Sequence, residues 1–327
     1  MSAAPLLDIR DLSTHFVSAR GTRVVRAVNG VSLTLRAGET LGIVGESGSG
    51  KSTLALSILR LLPTAARIVG GEINFEGENL LDKSDAEMRR IRGKRIAMIL
   101  QDPMASLNPL FTIGDQVAEP MRVHEQMARA GAWTRAKELL RAVRISAPDT
   151  RVGEYPHQMS GGMRQRIVGA IAISCEPALL IADEPTTSLD VTIQAQYLNL
   201  LRDLQKSHHL ALIFITHNLG IVAKMCDQVA VMYAGRMVES GPVRQIFNRP
   251  AHPYTEALLQ SIPRLSDSRE RLTAIDGQPP DLVAPPLGCA FHPRCPRAID
   301  RCRIEDPPAF TVAPSQHARC WLAEPTR

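Results

Sequence analysis

Apolar and polar positions along the chain fall into blocks of different period. Over residues 6–45 short apolar runs recur: Leu6-Leu7-Asp8-Ile9, Val24-Val25 and Val31-Ser32-Leu33-Thr34-Leu35. These predict strands and hairpins. Leu41-Gly42-Ile43-Val44 predicts a buried strand, and Thr53-Leu54-Ala55-Leu56-Ser57-Ile58-Leu59 a helix that begins soon after it. Arg95-Ile96-Ala97-Met98-Ile99-Leu100-Gln101 predicts another buried strand. From about 105 to 175 the pattern turns helical and charged, as in Arg135-Ala136-Lys137-Glu138-Leu139-Leu140, and predicts a helical insert. Two strongly apolar strands follow, Ala178–Ala182 and Ala211–Ile215, with a helix around residues 191–206 between them. Strands alternating with helices predict an α/β fold with a mostly parallel sheet covered on both faces.

Near residue 250 the composition changes. The last 77 residues hold 12 of the 23 prolines and four of the six cysteines. Proline breaks helices and removes donors. The reading is therefore a larger domain over 1–250, with its helical part at about 105–175, and a loop-rich module over 251–327. No apolar run approaches the ~20 residues that a membrane helix needs. Met1-Ser2-Ala3-Ala4-Pro5 lacks the basic start and apolar block of a signal peptide, so a cytoplasmic location is expected. The net charge of +5 is mild, and only 4% of residues are aromatic, which argues against a stacking platform for single-stranded nucleic acid.

Between the predicted strand and helix lies Gly45-Glu46-Ser47-Gly48-Ser49-Gly50-Lys51-Ser52, which fits the phosphate-binding pattern G-x-x-x-x-G-K-[ST]. Glycines let consecutive N–H groups turn toward one anion, and the helix start adds partial positive charge. Gly45, Ser47, Gly48, Ser49, Gly50, Lys51, Ser52 and Thr53 are thus candidates to hold a nucleotide. Lys51 reaches the β- and γ-phosphates, and the Ser52 hydroxyl serves Mg²⁺. Leu179-Leu180-Ile181-Ala182-Asp183-Glu184 is an apolar strand ending in two carboxylates. Strand ends are where ligands bind in parallel α/β sheets. Asp183 is a candidate Mg²⁺ group; Glu184 is placed to act on an attacking water. Ser160-Gly161-Gly162 opens a predicted helix with Ser160 as its N-cap, a second anion-binding turn. One subunit has no need of two such turns for one γ-phosphate, so this turn reads as serving a nucleotide on a partner subunit.

The order of phosphate loop, Gln101, Ser160-Gly161-Gly162, Asp183-Glu184, Ser188-Leu189-Asp190 and His217 resembles the ATP-binding cassette ATPases over about residues 6–250. That resemblance implies a P-loop NTPase cassette: a RecA-like sheet, an antiparallel β subdomain and a helical subdomain. It implies ATP and Mg²⁺ as cofactors and two cassettes that sandwich two ATP molecules. By it, Gln101 senses Mg²⁺ and the attacking water, Asp190 communicates across the dimer, and His217 hydrogen-bonds the γ-phosphate. Phe16 is the candidate for stacking on adenine. The usual Leu-Ser-Gly-Gly-Gln signature reads Met159-Ser160-Gly161-Gly162-Met163 here, and Met163 cannot hydrogen-bond as Gln would.

Asn248-Arg249-Pro250-Ala251-His252-Pro253-Tyr254 and Gly288-Cys289-Ala290-Phe291-His292-Pro293-Arg294-Cys295-Pro296 are similar to the C-terminal extension of oligopeptide, dipeptide and nickel importer ATPases. The implied function is the ATPase subunit of a peptide importer, peripheral on the cytoplasmic face of the inner membrane. The implied partners are two permease subunits, a second and different cassette, and, through the complex, an extracytoplasmic substrate-binding protein. A nickel importer ATPase and a soluble cassette ATPase acting on nucleic acid are the alternatives; nucleic acid is not expected as a partner.

Cys289, Cys295, Cys302 and Cys320 are spaced C-x₅-C-x₆-C-x₁₇-C. Cytosolic thiols stay reduced, and four thiolates suit Zn²⁺ or an iron–sulfur cluster. Structural zinc usually draws on tight C-x₂₋₄-C pairs, which are absent, so a [4Fe–4S] cluster is favoured and Zn²⁺ is the alternative, with unligated thiols left open. Cys175 and Cys226 sit in apolar helical context and read as core thiols.

Overall fold

The computed structural model describes residues 4–102, 106–187, 189–262 and 275–325. The chain divides into two compact units: residues 1–81 with 215–327, and residues 82–214.

The first unit opens on a long antiparallel pair, β1 (Leu7–Val17) and β2 (Val24–Leu35). Leu7 and Ile9 point inward; a bulge then shifts the register, so that Leu12 and Thr14 are the next fully buried positions. Asp11, at φ +45°, makes that bulge. The lost alternation is why only the first run of β1, Leu6-Leu7-Asp8-Ile9, stands out in the sequence. β3 (Thr40–Val44), buried at every residue, runs into α1 (Lys51–Ile58). β4 (Ala66–Phe75) and β5 (Glu78–Asn79) complete an antiparallel sheet of order β2-β1-β4-β5. Thr14 and Ser57 exchange a buried hydroxyl hydrogen bond of 2.8 Å, which pins α1 to β1.

The second unit begins with α2 (Asp85–Ile91), closed by a Ser84/Glu87 capping box. β6 (Ile96–Ile99) pairs in parallel with β7 (Leu179–Asp183), and β8 (Ala211–Ile215) lies on the other side of β7. Between β6 and β7 come α3 (Ile113–His124), α4 (Arg129–Ala142), α5 (Pro148–Arg151) and α6 (Gly161–Ile173). α7 (Val191–His208) links β7 to β8.

The chain then returns to the first unit through α8 (Leu219–Met225), β9 (Gln228–Tyr233), β10 (Arg236–Pro242), α9 (Val243–Asn248) and α10 (Pro253–Gln260). β9 pairs in parallel with β3 and antiparallel with β10. After α11 (Asp300–Ile304), the hairpin β11 (Phe310–Ala313) and β12 (Gln316–Ala318) adds to β10 through Glu239–Ala318 and Ser240–His317. Residues 275–325 therefore do not stand apart from the strands beside the phosphate loop. They are held by strand addition and by Phe291, which is 1% exposed and packs at 5.2 Å and 5.3 Å on the rings of Tyr233 and Tyr254. An aromatic core does what the proline-rich composition alone did not suggest.

Candidate functional site: a phosphate loop and a strand-end carboxylate

The phosphate loop is shaped by two glycines that nothing else can replace. Gly45 has φ +154°, and a Cβ there would lie 2.1 Å from the Met232 carbonyl oxygen. Gly50 has φ +101°, and its Cβ would lie 2.1 Å from the Ala27 carbonyl oxygen. The loop is thus pressed against the backbones of β2 and β9. Ser49 N–H donates to Glu46 O at 3.2 Å, and Gly235 N–H donates to Ser49 O at 3.0 Å. Lys51, 6% exposed, lies across the loop with Nζ donating to Gly45 O at 2.8 Å, Glu46 O at 2.9 Å and Ser49 Oγ at 3.3 Å. Ser47, Gly48 and Ser52 are exposed, and Thr53 is half-buried. His217 belongs to the same unit and is exposed. Thr216 N–H donates to Ile43 O, and Asn218 Oδ1 caps α8, so the backbone on either side of His217 is fixed. Phe16 is half-buried on β1, opposite Val25 on β2 and Ala66 on β4.

In the second unit the parallel register Ile99–Ala182 carries Gln101 and Glu184 out of their strands at the same level. Gln101 Nε2 donates to Glu184 Oε2 at 3.3 Å, and Thr187 Oγ1 donates to the same oxygen at 2.9 Å. Glu184 has φ +44°, in the left-handed region, where a side chain of its size is held only by its surroundings. Asp183, last in β7, is 5% exposed. Thr187 escaped the sequence reading, although a hydroxyl three residues past a turn carboxylate is a signal that could have found it.

Ser160 caps α6, its Oγ accepting from Met163 N–H at 3.3 Å, and Asp190 caps α7, its Oδ1 accepting from Ile193 N–H at 2.9 Å. The two caps meet at Ile193: a Cβ on Gly162 would lie 2.8 Å from Ile193 Cγ2. Ser160, Gly161 and Asp190 are exposed, which leaves the Ser-Gly-Gly turn open to a partner. Ser188 lies outside the described residues.

The four tail cysteines are the residues expected to form a metal centre. All are free thiols, and Cys302 and Cys320 are buried. Burial first, then the neighbouring Cys302, Cys320 and Cys295, push the Cys289 thiol up to about 12. Burial likewise raises Cys295 and Cys320. The four sulfurs are near enough to feel one another. Among the described residues no group of three or more His, Cys, Asp or Glu is arranged to hold a metal ion. Burial also raises the Cys175 and Cys226 thiols, consistent with inert packing.

These geometries define a nucleotide-hydrolysing cassette, and comparison with known proteins agrees. Residues 28–187 match the family model "ABC transporter", and residues 238–302 match "Oligopeptide/dipeptide transporter, C-terminal region". A Sinorhizobium fredii protein named "Probable peptide ABC transporter ATP-binding protein y4tR" is 54% identical over 97% of this chain and 94% of its own length. The oligopeptide transport ATP-binding protein OppD of Bacillus subtilis is 50% identical over 98% of this chain and 89% of its own. DppD of the same organism, a dipeptide transport ATP-binding protein, is 49% identical over 98% and 95%. Among solved structures, the dimeric ATP-binding cassette MJ0796 bound to ADP and Pi superposes with a TM-score of 0.65 at 25% identity, covering 73% of this chain and 99% of that one. The chain belongs to the ATP-binding cassette ATPases, in the group that carries the oligopeptide/dipeptide transporter C-terminal region. Among the described residues no helix is long and apolar enough to cross a membrane.

Proposed function

We propose that this chain is the ATP-hydrolysing subunit of an importer that takes up peptides across the cytoplasmic membrane. The observation that carries this reading is the union, in one chain, of the cassette's phosphate loop with the region 238–302 shared with peptide importers. In this reading it works with two membrane permease subunits and a second, different cassette. It is peripheral on the cytoplasmic face, and an extracytoplasmic substrate-binding protein delivers the cargo. Two cassettes close on two ATP molecules, Ser160, Gly161 and Gly162 of each meeting the nucleotide of the other, and hydrolysis reopens them. Leu110 (80% exposed), Phe111 (54%) and Val123 (67%) in the second unit offer apolar surface for the permease.

The residues fit Mg²⁺ by chemistry, since Ser52, Gln101 and Asp183 supply only hard oxygen donors. When bound, Mg²⁺ and Lys51 spread the charge of the phosphoryl group in transfer. Glu184 orients a water and takes its proton as the water's oxygen bonds to phosphorus and the bond to the ADP oxygen breaks. Gln101 holds the Glu184 carboxylate, His217 hydrogen-bonds the γ-phosphate, Asp190 relays across the dimer, and Phe16 stacks on adenine. The domain reading adds a tail module over 251–327 whose Cys289, Cys295, Cys302 and Cys320 bind a [4Fe–4S] cluster or Zn²⁺. The support for that is the four-cysteine pattern, and iron and zinc analysis of the purified protein and of Cys302→Ser decides it.

The test of function is purification of the tagged chain from detergent-solubilised membranes with identification of its companions. Two permease-like chains and a second cassette are expected. Recovery with ribosomes or nucleic acid from the soluble fraction would overturn the importer reading and leave the ATPase.

A further inference from the structure

Glu46 places a carboxylate within a loop whose task is to hold a polyanion. Its balancing charge comes from 248 positions away. Arg294 Nη1 and Nη2 donate to the two Glu46 carboxylate oxygens at 2.7 Å and 3.0 Å, a bidentate pair with the Arg294 side chain only 4% exposed. The remaining donors of the guanidinium are also used. Nε donates to Asp276 O at 2.9 Å, Nη2 to Ile275 O at 3.2 Å, and Nη1 to the Tyr233 hydroxyl at 3.2 Å. The guanidinium lies 5.7 Å from the Tyr233 ring centre and 5.9 Å from that of Phe291. From the other side, Glu46 N–H donates to the Tyr254 hydroxyl at 2.9 Å. A single loop residue is thus gripped at its side chain and its backbone by residues of the C-terminal region.

We propose that Arg294 is a positioning residue of the phosphate loop: through Glu46 it cancels a carboxylate charge beside the phosphates and lets the C-terminal region set the loop's affinity for nucleotide. The proposal rests on the nucleotide lying at that loop. Lysine could not substitute, because a single ammonium cannot match the fork of five donors used here.

The experiment measures the MgADP dissociation constant, and KM and kcat for MgATP, on the full-length chain and its variants. Arg294→Met leaves the Glu46 charge uncompensated and is expected to weaken MgADP binding and raise KM by roughly fivefold, with kcat changed far less. Arg294→Met combined with Glu46→Gln removes both charges and is expected to return the dissociation constant to within about twofold of the parent. A merely structural bond would instead leave the double variant as weak as Arg294→Met. That result, or an unchanged dissociation constant in folded Arg294→Met, overturns the proposal. If Arg294→Met does not fold, Glu46→Gln alone decides. It leaves an unbalanced cation beside the phosphates and is expected to tighten MgADP about twofold, so equal or weaker binding counts against the proposal. Lys51→Ala, measured in parallel, separates the premise: if MgADP binds as well without Lys51, the nucleotide does not lie at this loop, and the proposal falls for that distinct reason.

Discussion

His252 makes the stability of the first unit depend on pH. It is 1% exposed and caps α10, with Nδ1 accepting Tyr254 N–H at 3.0 Å. Its backbone N–H donates to Glu239 Oε2 at 3.0 Å, and its ring centre lies 5.8 Å from that of Phe291. Burial first, and then the Arg297 cation, lower its pKa from 6.5 to about 3. Because the folded value lies below the unfolded one, the unfolded chain takes up the proton first. Stability is therefore full above 6.5 and is lost as pH falls from there toward 3. Between pH 7 and pH 5 the loss from this one group is about 2 kcal/mol. A chain with two compact units need not unfold in one step, so the assay is hydrogen exchange across residues 252–260, corrected for intrinsic rates. His252→Asn is the control, since an Asn oxygen can accept the same N–H and does not titrate. The parent's opening free energy is expected to fall by about 2 kcal/mol more than the variant's over this range. Equal falls in the two proteins would refute a buried neutral imidazole.

Four other outcomes are expected. Lys51→Ala should lower the hydrolysis rate by at least about 100-fold, read as phosphate release at saturating MgATP. Glu184→Gln should lower turnover by roughly 10²- to 10⁴-fold while MgATP still binds, leaving a closed dimer visible by size-exclusion chromatography; normal turnover would remove Glu184 from its role. Thr187→Val removes the 2.9 Å hydrogen bond to the Glu184 carboxylate and should cost about 1 kcal/mol of its ordering, seen as a several-fold fall in kcat with KM little changed. Gly50→Ala meets the Ala27 carbonyl at 2.1 Å and should lower melting temperature and nucleotide affinity together, the backbone strain alone costing about 1–3 kcal/mol.

What could be seen in the sequence follows from how local each feature is. The phosphate loop is written in eight consecutive residues because the physics of an anion nest is local: two glycines, a lysine and a helix start. The Ser160 and Asp190 caps are local too, each bonding an N–H three residues on. Gln101 and Glu184 were legible one by one, and the parallel register of β6 and β7 makes them a pair. The β1 bulge hid a continuous strand, because one inserted residue destroys the alternation on which the reading depends. The spacing of the four cysteines fixes only reach, and it is the fold that brings Cys289, Cys295, Cys302 and Cys320 within range of one another. The bond between Arg294 and Glu46 lies at the far limit. Nothing within ten residues of either announces it, for Arg294 sits in a proline- and cysteine-rich stretch and Glu46 fills a position where the loop pattern accepts any residue. Only the fold, by bringing β9, α10 and residues 275–294 against the loop, turns a permitted residue into a charged hinge between the C-terminal region and the phosphate site.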